Sequence, residues 1–111
     1  MEDGLYHLRA NSSRATVEGV VVVSANRVNG GGPDYCYQGH IFDESGELTG
    51  TLVIKKWNDP APPSLGMFKE AAFRVSGEYD SGTKSFHLNG QANGHHVIKV
   101  ELTGRFIAPV V

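Results

Sequence analysis

The amino-acid sequence predicts an all-β protein built as one antiparallel barrel of roughly eight strands. Apolar and polar residues alternate in about eight short runs, which is the period of a half-buried strand. Glycine also falls within these runs and not only between them. Because glycine normally weakens a strand interior, its recurrence in successive strands indicates a sheet that bends sharply and closes on itself. The glycines in question are Gly19, Gly39, Gly50, Gly77, Gly90 and Gly104.

The first half of the chain contains four of the predicted strands. They cover residues 5–8, 15–25, 27–29 and 35–43, and the second is rich in valine, which favours strands. Between the third and fourth runs lies Gly30-Gly31-Gly32-Pro33-Asp34. Because three glycines and a proline do not favour the hydrogen-bonded pairing of a β-sheet, this segment is predicted to be a turn or loop.

The second half contains the other four strands, at residues 48–57, 71–79, 84–91 and 95–106. The fourth and fifth runs flank the loop Glu44-Ser45-Gly46-Glu47, in which glycine can accept a positive φ, and they are predicted to pair as a hairpin. The proline-rich residues 59–64 break the pattern, and Ser64 could cap at most one short helical turn. Asn93-Gly94 is a strong hairpin signal before the eighth strand. The whole chain, residues 1–111, is expected to be one domain.

Period-two alternation assigns each strand residue to the inside or the outside of the barrel. Val21 and Val23 are predicted to face inward, which turns Val20 and Val22 outward. An apolar outer face is usually packed against another segment or chain. Here, either a partner subunit or the C-terminal tail could cover it. The residues expected to line the interior are Tyr6, Leu8, Tyr37, Ile41, Leu52, Phe73, Phe86, Leu88 and Ile98.

Composition limits the classes of protein to which the chain can belong. Of its 111 residues, 40% are hydrophobic and 20% charged, which fits a globular protein. The net charge of -2 offers no broad basic surface, so we expect no direct nucleic-acid partner. The longest apolar run, residues 20–23, is too short to span a bilayer, and the acidic start is unlike a signal peptide. We therefore expect a cytoplasmic protein with no membrane partner.

Residues that could carry chemistry do not assemble into a recognisable motif. His95 and His96 are adjacent on a predicted strand and point to opposite faces, so they cannot easily share a metal ion. Cys36 is the one cysteine, and nothing around it matches a nucleophile motif. Gly30-Gly31-Gly32 lacks the lysine and helix of a phosphate loop. We expect no metal, no cofactor and no catalytic residues.

The sequence resembles the negative regulators of type III secretion loci, the Grl repressor type. The resemblance covers nearly the whole chain. It rests on Gly4-Leu5-Tyr6, Gly19-Val20-Val21-Val22, Gly30-Gly31-Gly32, Tyr37-Gln38-Gly39, Val75-Ser76-Gly77 and Leu88-Asn89-Gly90. It implies a small lipocalin-like barrel that dimerises, and a non-catalytic regulator that binds and sequesters a transcriptional activator. In that family's best-known type, an exposed loop of four alternating Glu and Asp residues contributes to activator binding.

This chain departs from the family pattern at the acidic loop, where Asp43-Glu44-Ser45-Gly46-Glu47 is shorter and interrupted. We expect Asp43, Glu44 and Glu47 to contact a protein partner, and Val20 and Val22 to lie at a homodimer contact. The alternative function is a carrier or sensor of a small apolar ligand, since an eight-stranded barrel can hold one. A barrel filled by its own side chains would argue against the carrier. A small barrel enzyme ranks last.

Overall fold

A computed structural model describes residues 1–58, 69–92 and 98–111 of the chain. These residues form eight β-strands. The strands are β1 Gly4–Asn11, β2 Thr16–Ser24, β3 Arg27–Gly31, β4 Tyr35–Glu44, β5 Glu47–Lys56, β6 Glu70–Asp80, β7 Ser85–Ala92 and β8 Ile98–Ala108.

Each strand pairs antiparallel with its neighbour in sequence, and β1 also pairs with β8, which closes the barrel. The predicted all-β, eight-stranded barrel is therefore confirmed, and the described residues contain no helix. The helical turn expected after Ser64, the Asn93-Gly94 hairpin and the His95-His96 pair all lie outside the described residues.

Two of the connections are two-residue turns whose residues adopt the left-handed conformation. Ala25 and Asn26 join β2 to β3 with φ angles of 51° and 64°. Ser45 and Gly46 join β4 to β5 with φ angles of 54° and 90°. A positive φ at both positions matches the twist of a type I′ hairpin. The predicted β4–β5 hairpin is confirmed, but its turn has two residues and not four, because Glu44 and Glu47 pair with each other at the strand ends.

The inward faces predicted by period-two alternation form the hydrophobic core. Eight of the nine predicted interior residues are buried and pack into one cluster, while Ile98 is half-buried against it. Val21 and Val23 are 0% and 1% exposed, whereas Val20 and Val22 are 42% and 36% exposed. The prediction that β2 turns alternate valines to opposite faces is confirmed.

The prediction of a loop at residues 30–34 is wrong for its first two residues. Gly30 and Gly31 belong to β3, pairing with Val21 and Val20 on one side and with Tyr37 and Cys36 on the other. A Cβ at Gly30 would lie 2.2 Å from the carbonyl oxygen of Val20. Glycine here permits two backbones to approach closely, a property that composition cannot distinguish from turn formation.

The direction of the strands gives the barrel two unlike ends. One, which we call the turn end, holds the start of β1, the end of β8 and the short connections β2–β3, β4–β5 and β6–β7. The opposite end holds the loops that follow β1 and β3. Residues far apart in sequence therefore meet at the turn end.

Candidate functional site

The turn end carries more than half of the twelve acidic residues of the chain. They come from the N-terminal segment, from the β4–β5 hairpin and from the end of β6. These residues are Glu2, Asp3, Asp43, Glu44, Glu47, Glu78 and Asp80. Because the ends of three segments converge here, the acidic surface extends beyond the hairpin that the sequence singled out.

Asp43, predicted to contact a partner, is held by the fold itself. Its Oδ1 accepts a hydrogen bond from the Gly46 N–H at 2.8 Å, and its Oδ2 accepts one from the N-terminal ammonium of Met1. The carboxylate side chain is only 18% exposed. These hydrogen bonds hold the pKa of Asp43 below its usual value, so the residue secures the hairpin turn and leaves little carboxylate free for a partner.

Glu44 and Glu47, the other two predicted contact residues, are exposed and oppose each other across the β4–β5 hairpin. Glu47 is also in register with Glu78 on β6, which is exposed as well. The Tyr79 N–H donates to the carbonyl of Gly46 at 2.8 Å and joins the two hairpins. Among the described residues these three glutamates form no ion pair, so we call them the free acidic cluster.

Glu78 belongs to this cluster, but the sequence did not predict that it lies next to the β4–β5 hairpin. It is exposed on the outer face of β6. Its neighbour is fixed by the β5–β6 register, and these strands are separated by a connection of more than ten residues. The sequence offered one signal for this contact. Glu78 lies near the end of the predicted strand that follows the acidic β4–β5 hairpin.

A second surface of interest is the apolar outer face of β2. Val22 is in register with Leu5 of β1, and Leu5 in turn is in register with Ala108 of β8. Ile107, beside this pairing, is 53% exposed. Val20 and Val22 remain exposed although the C-terminal residues are in place, so in this structure the tail does not cover them.

Polar side chains on the outside of β1, β2, β6, β7 and β8 line a groove of about 660 Å³, which we call the charged groove. Glu18 lies 3.3 Å from Arg9 Nε and 3.6 Å from His7 Nε2. On the other side, His87 Nε2 lies 3.4 Å from Glu101. His7, Arg9, Glu18 and His87 thus each lie near an oppositely charged group, whereas Glu78, Asp80 and Arg105, which also line the groove, form no ion pair among the described residues.

We found no metal-binding constellation in the part of the chain that the structure describes, where no three His, Cys, Asp or Glu side chains cluster suitably. Cys36 is half-buried on β4, in register with Lys55. In the interior, burial raises the pKa of Tyr6 and Tyr37 well above the usual value, so both phenols are neutral. The Tyr6 hydroxyl donates to the carbonyl of Glu2 at 2.5 Å. Within the described ranges no helix is long and apolar enough to cross a membrane.

Comparison with known proteins identifies one matching family. The family model described as "T3SS negative regulator, GrlR" matches residues 1–110. No curated protein shows significant similarity to the chain.

Proposed function

Since the chain belongs to the GrlR family of type III secretion system negative regulators, we propose that it is a cytoplasmic, non-catalytic regulator that binds a protein partner. A transcriptional activator is the kind of partner that fits this role. The proposal includes a homodimer as the active form and takes the chain as one domain, with no cofactor.

The observation that carries the proposal is the free acidic cluster of Glu44, Glu47 and Glu78 at the turn end. Three exposed carboxylates on two hairpins that are hydrogen-bonded to each other form a negative surface of fixed shape. Such a surface attracts a positively charged partner over a distance and sets its orientation on contact. The contact surface is therefore proposed to extend from the β4–β5 hairpin onto β6.

The homodimer is supported by the apolar outer face of β2 and its neighbours. Val22 is in register with Leu5, Val20 follows two residues earlier on the same face of β2, and Ile107 is exposed near the Leu5–Ala108 pairing. A contiguous apolar patch on a small protein commonly marks an interface. A two-fold dimer would bring the same patch together from two copies.

The packed interior favours a regulator over the alternative carrier of an apolar ligand. The predicted lining residues fill one cluster, in which the Tyr6 ring lies 5.4 Å from that of Phe86 and 5.6 Å from that of Phe106. Aromatic rings at these centroid distances are in direct contact. The side chains that would surround a ligand are thus in contact with one another.

The test begins with capture of the partner from native cell extract and its identification by mass spectrometry. Association is then measured for the unaltered protein and for a Glu44→Gln, Glu47→Gln, Glu78→Gln variant. The matched control changes Glu18, Glu70 and Glu101 to Gln, which alters the net charge equally but away from the turn end.

We expect the cluster variant to associate about tenfold more slowly and with a weaker dependence on salt, while the control variant associates nearly normally. Both variants should fold, because surface substitutions usually cost within about 0.5 kcal/mol. Equal association rates for the two variants would show that the turn end is not the contact. Failure to recover any protein partner would contradict the proposed function itself.

A further inference from the structure

A second groove lies on the outer surface across β5, β6, β7 and β8, and it is farther from the turn end than the charged groove. Its volume is about 770 Å³. Outward side chains of Thr51, Arg74, Gln91 and Lys99 form one cross-strand row, because these residues are successive register partners. We call this the polar groove. The row places hydroxyl, guanidinium, amide and ammonium groups side by side over four strands.

The neighbouring row adds further polar groups of the same kind. Thr49, Ser76 and Asn89 are successive register partners on β5, β6 and β7, and all three are exposed. The polar groove therefore offers two rows of hydrogen-bonding side chains. Such a surface suits a ligand rich in hydroxyl groups.

The polar groove contains two cations, Arg74 and Lys99. No carboxylate lines it, and among the described residues neither Arg74 nor Lys99 forms an ion pair. The nearest acid on β8, Glu101, continues the second row beyond Asn89, and its carboxylate lies 3.4 Å from His87 Nε2. Since β6 and β8 are separated by one strand, the two cations start about 10 Å apart at their Cα atoms. Both long side chains can reach an anion placed above Gln91.

We propose that the polar groove binds a small hydrophilic molecule that carries a phosphate or sulfate group. The oxyanion lies between Arg74 and Lys99, where the planar guanidinium of arginine can donate two parallel hydrogen bonds. The hydroxyl groups of the same molecule contact the side chains of Ser76, Asn89 and Thr51. This site is separate from the proposed protein contact at the turn end, and either can exist without the other.

The composition of the groove argues against a protein occupant. Its two valines, Val75 and Val100, are 3% exposed and point into the barrel. No outward aromatic or aliphatic side chain lines it. Protein interfaces depend on such anchors at their centre, whereas polar small molecules are held by hydrogen bonds and charge.

The experiment follows backbone amide signals of ¹⁵N-labelled protein during titration with glucose 6-phosphate, inorganic phosphate and sulfate. Glucose and sodium chloride at matched ionic strength are the reference probes. The variants are Arg74→Gln and Lys99→Gln, with Arg105→Gln as the control. Arg105 is an exposed cation of the charged groove that likewise forms no ion pair within the described residues.

We expect saturable shifts confined to residues 49–51, 74–76, 89–91 and 99, with glucose 6-phosphate bound more tightly than inorganic phosphate. Arg74→Gln and Lys99→Gln should each weaken binding about tenfold, the effect of one lost charge-assisted hydrogen bond, and Arg105→Gln should not. The stronger of the phosphate and sulfate titrations identifies the natural oxyanion. Shifts reproduced by sodium chloride, or lost equally in Arg105→Gln, would overturn the proposal, as would equal binding of glucose.

Discussion

The N-terminal ammonium of Met1 donates a hydrogen bond to the carboxylate of Asp43, which lies 42 positions away in sequence. The side chain of Met1 is 3% exposed and that of Asp43 is 18% exposed. The same carboxylate accepts the Gly46 N–H and thereby holds the β4–β5 turn. One side chain thus connects the start of the chain to the hairpin that carries Glu44 and Glu47.

We predict that Asp43 makes the stability of the protein depend on acid pH. Its pKa in the folded protein is lowered from an ordinary value of 3.8, first by the hydrogen bond from the Met1 ammonium and then by the Gly46 N–H. The stabilisation is therefore complete above about pH 5 and is lost as pH falls through the lowered pKa. Asp43→Asn should cost about 1 kcal/mol at pH 7 and progressively less below pH 4.

Thermal unfolding at several pH values would measure this difference. Asp80→Asn is the matched control, since Asp80 also accepts turn N–H groups, from Gly82 and Thr83, but contacts no ammonium within the described residues. A difference between the unaltered protein and Asp43→Asn that does not shrink toward pH 3 would contradict the prediction.

The β2–β3 turn predicts a stabilising substitution. Ala25 has a φ of 51°, a conformation that costs residues with a Cβ roughly 1–2 kcal/mol. Ala25→Gly should raise the free energy of unfolding by about 0.5–1 kcal/mol after the entropy of the unfolded chain is counted. The same change at Ala72, an exposed position inside β6, should lower it by a similar amount. Urea unfolding of both variants checks the opposite signs.

Gly104 and Phe86 are predicted to be coupled in stability. A Cβ at Gly104 would lie 2.1 Å from the ring of Phe86, which packs over the glycine inside the barrel. Gly104→Ala should therefore cost about 1–3 kcal/mol through overpacking. Adding Phe86→Leu should recover part of this loss, because the smaller side chain leaves room for the methyl group. A double-mutant cycle by denaturant unfolding would show no coupling if the contact were unimportant.

The apolar face predicts how the oligomeric state responds to charge. Val20→Lys with Val22→Lys should convert a dimer to monomers, since an interface cannot bury four unpaired ammonium groups. Thr49→Lys with Thr51→Lys adds the same charge to exposed positions on β5 and should leave the dimer intact. Light scattering distinguishes the two states. A monomer in the unaltered protein would refute the proposed contact.

The sequence by itself determined the fold class and the side of the barrel on which most residues lie. Alternation predicted that Val21 is inside and Val20 outside, because successive side chains on a strand point to opposite faces. It predicted a hairpin with its loop at residues 44–47, because Gly46 readily accepts the positive φ that the turn requires. These properties depend on a few consecutive residues, so a local pattern contains them.

Only the tertiary structure decided which residues of different strands are neighbours. The register of closed strands placed Glu78 beside Glu47, and it put Arg74 and Lys99 in one row. Gly30 lies within β3, where the close approach of two backbones requires glycine. The carboxylate of Asp43 accepts a hydrogen bond from the N-terminal ammonium of Met1. These contacts join segments far apart in the chain, and their geometry is fixed by closure of the whole barrel, which no local pattern records.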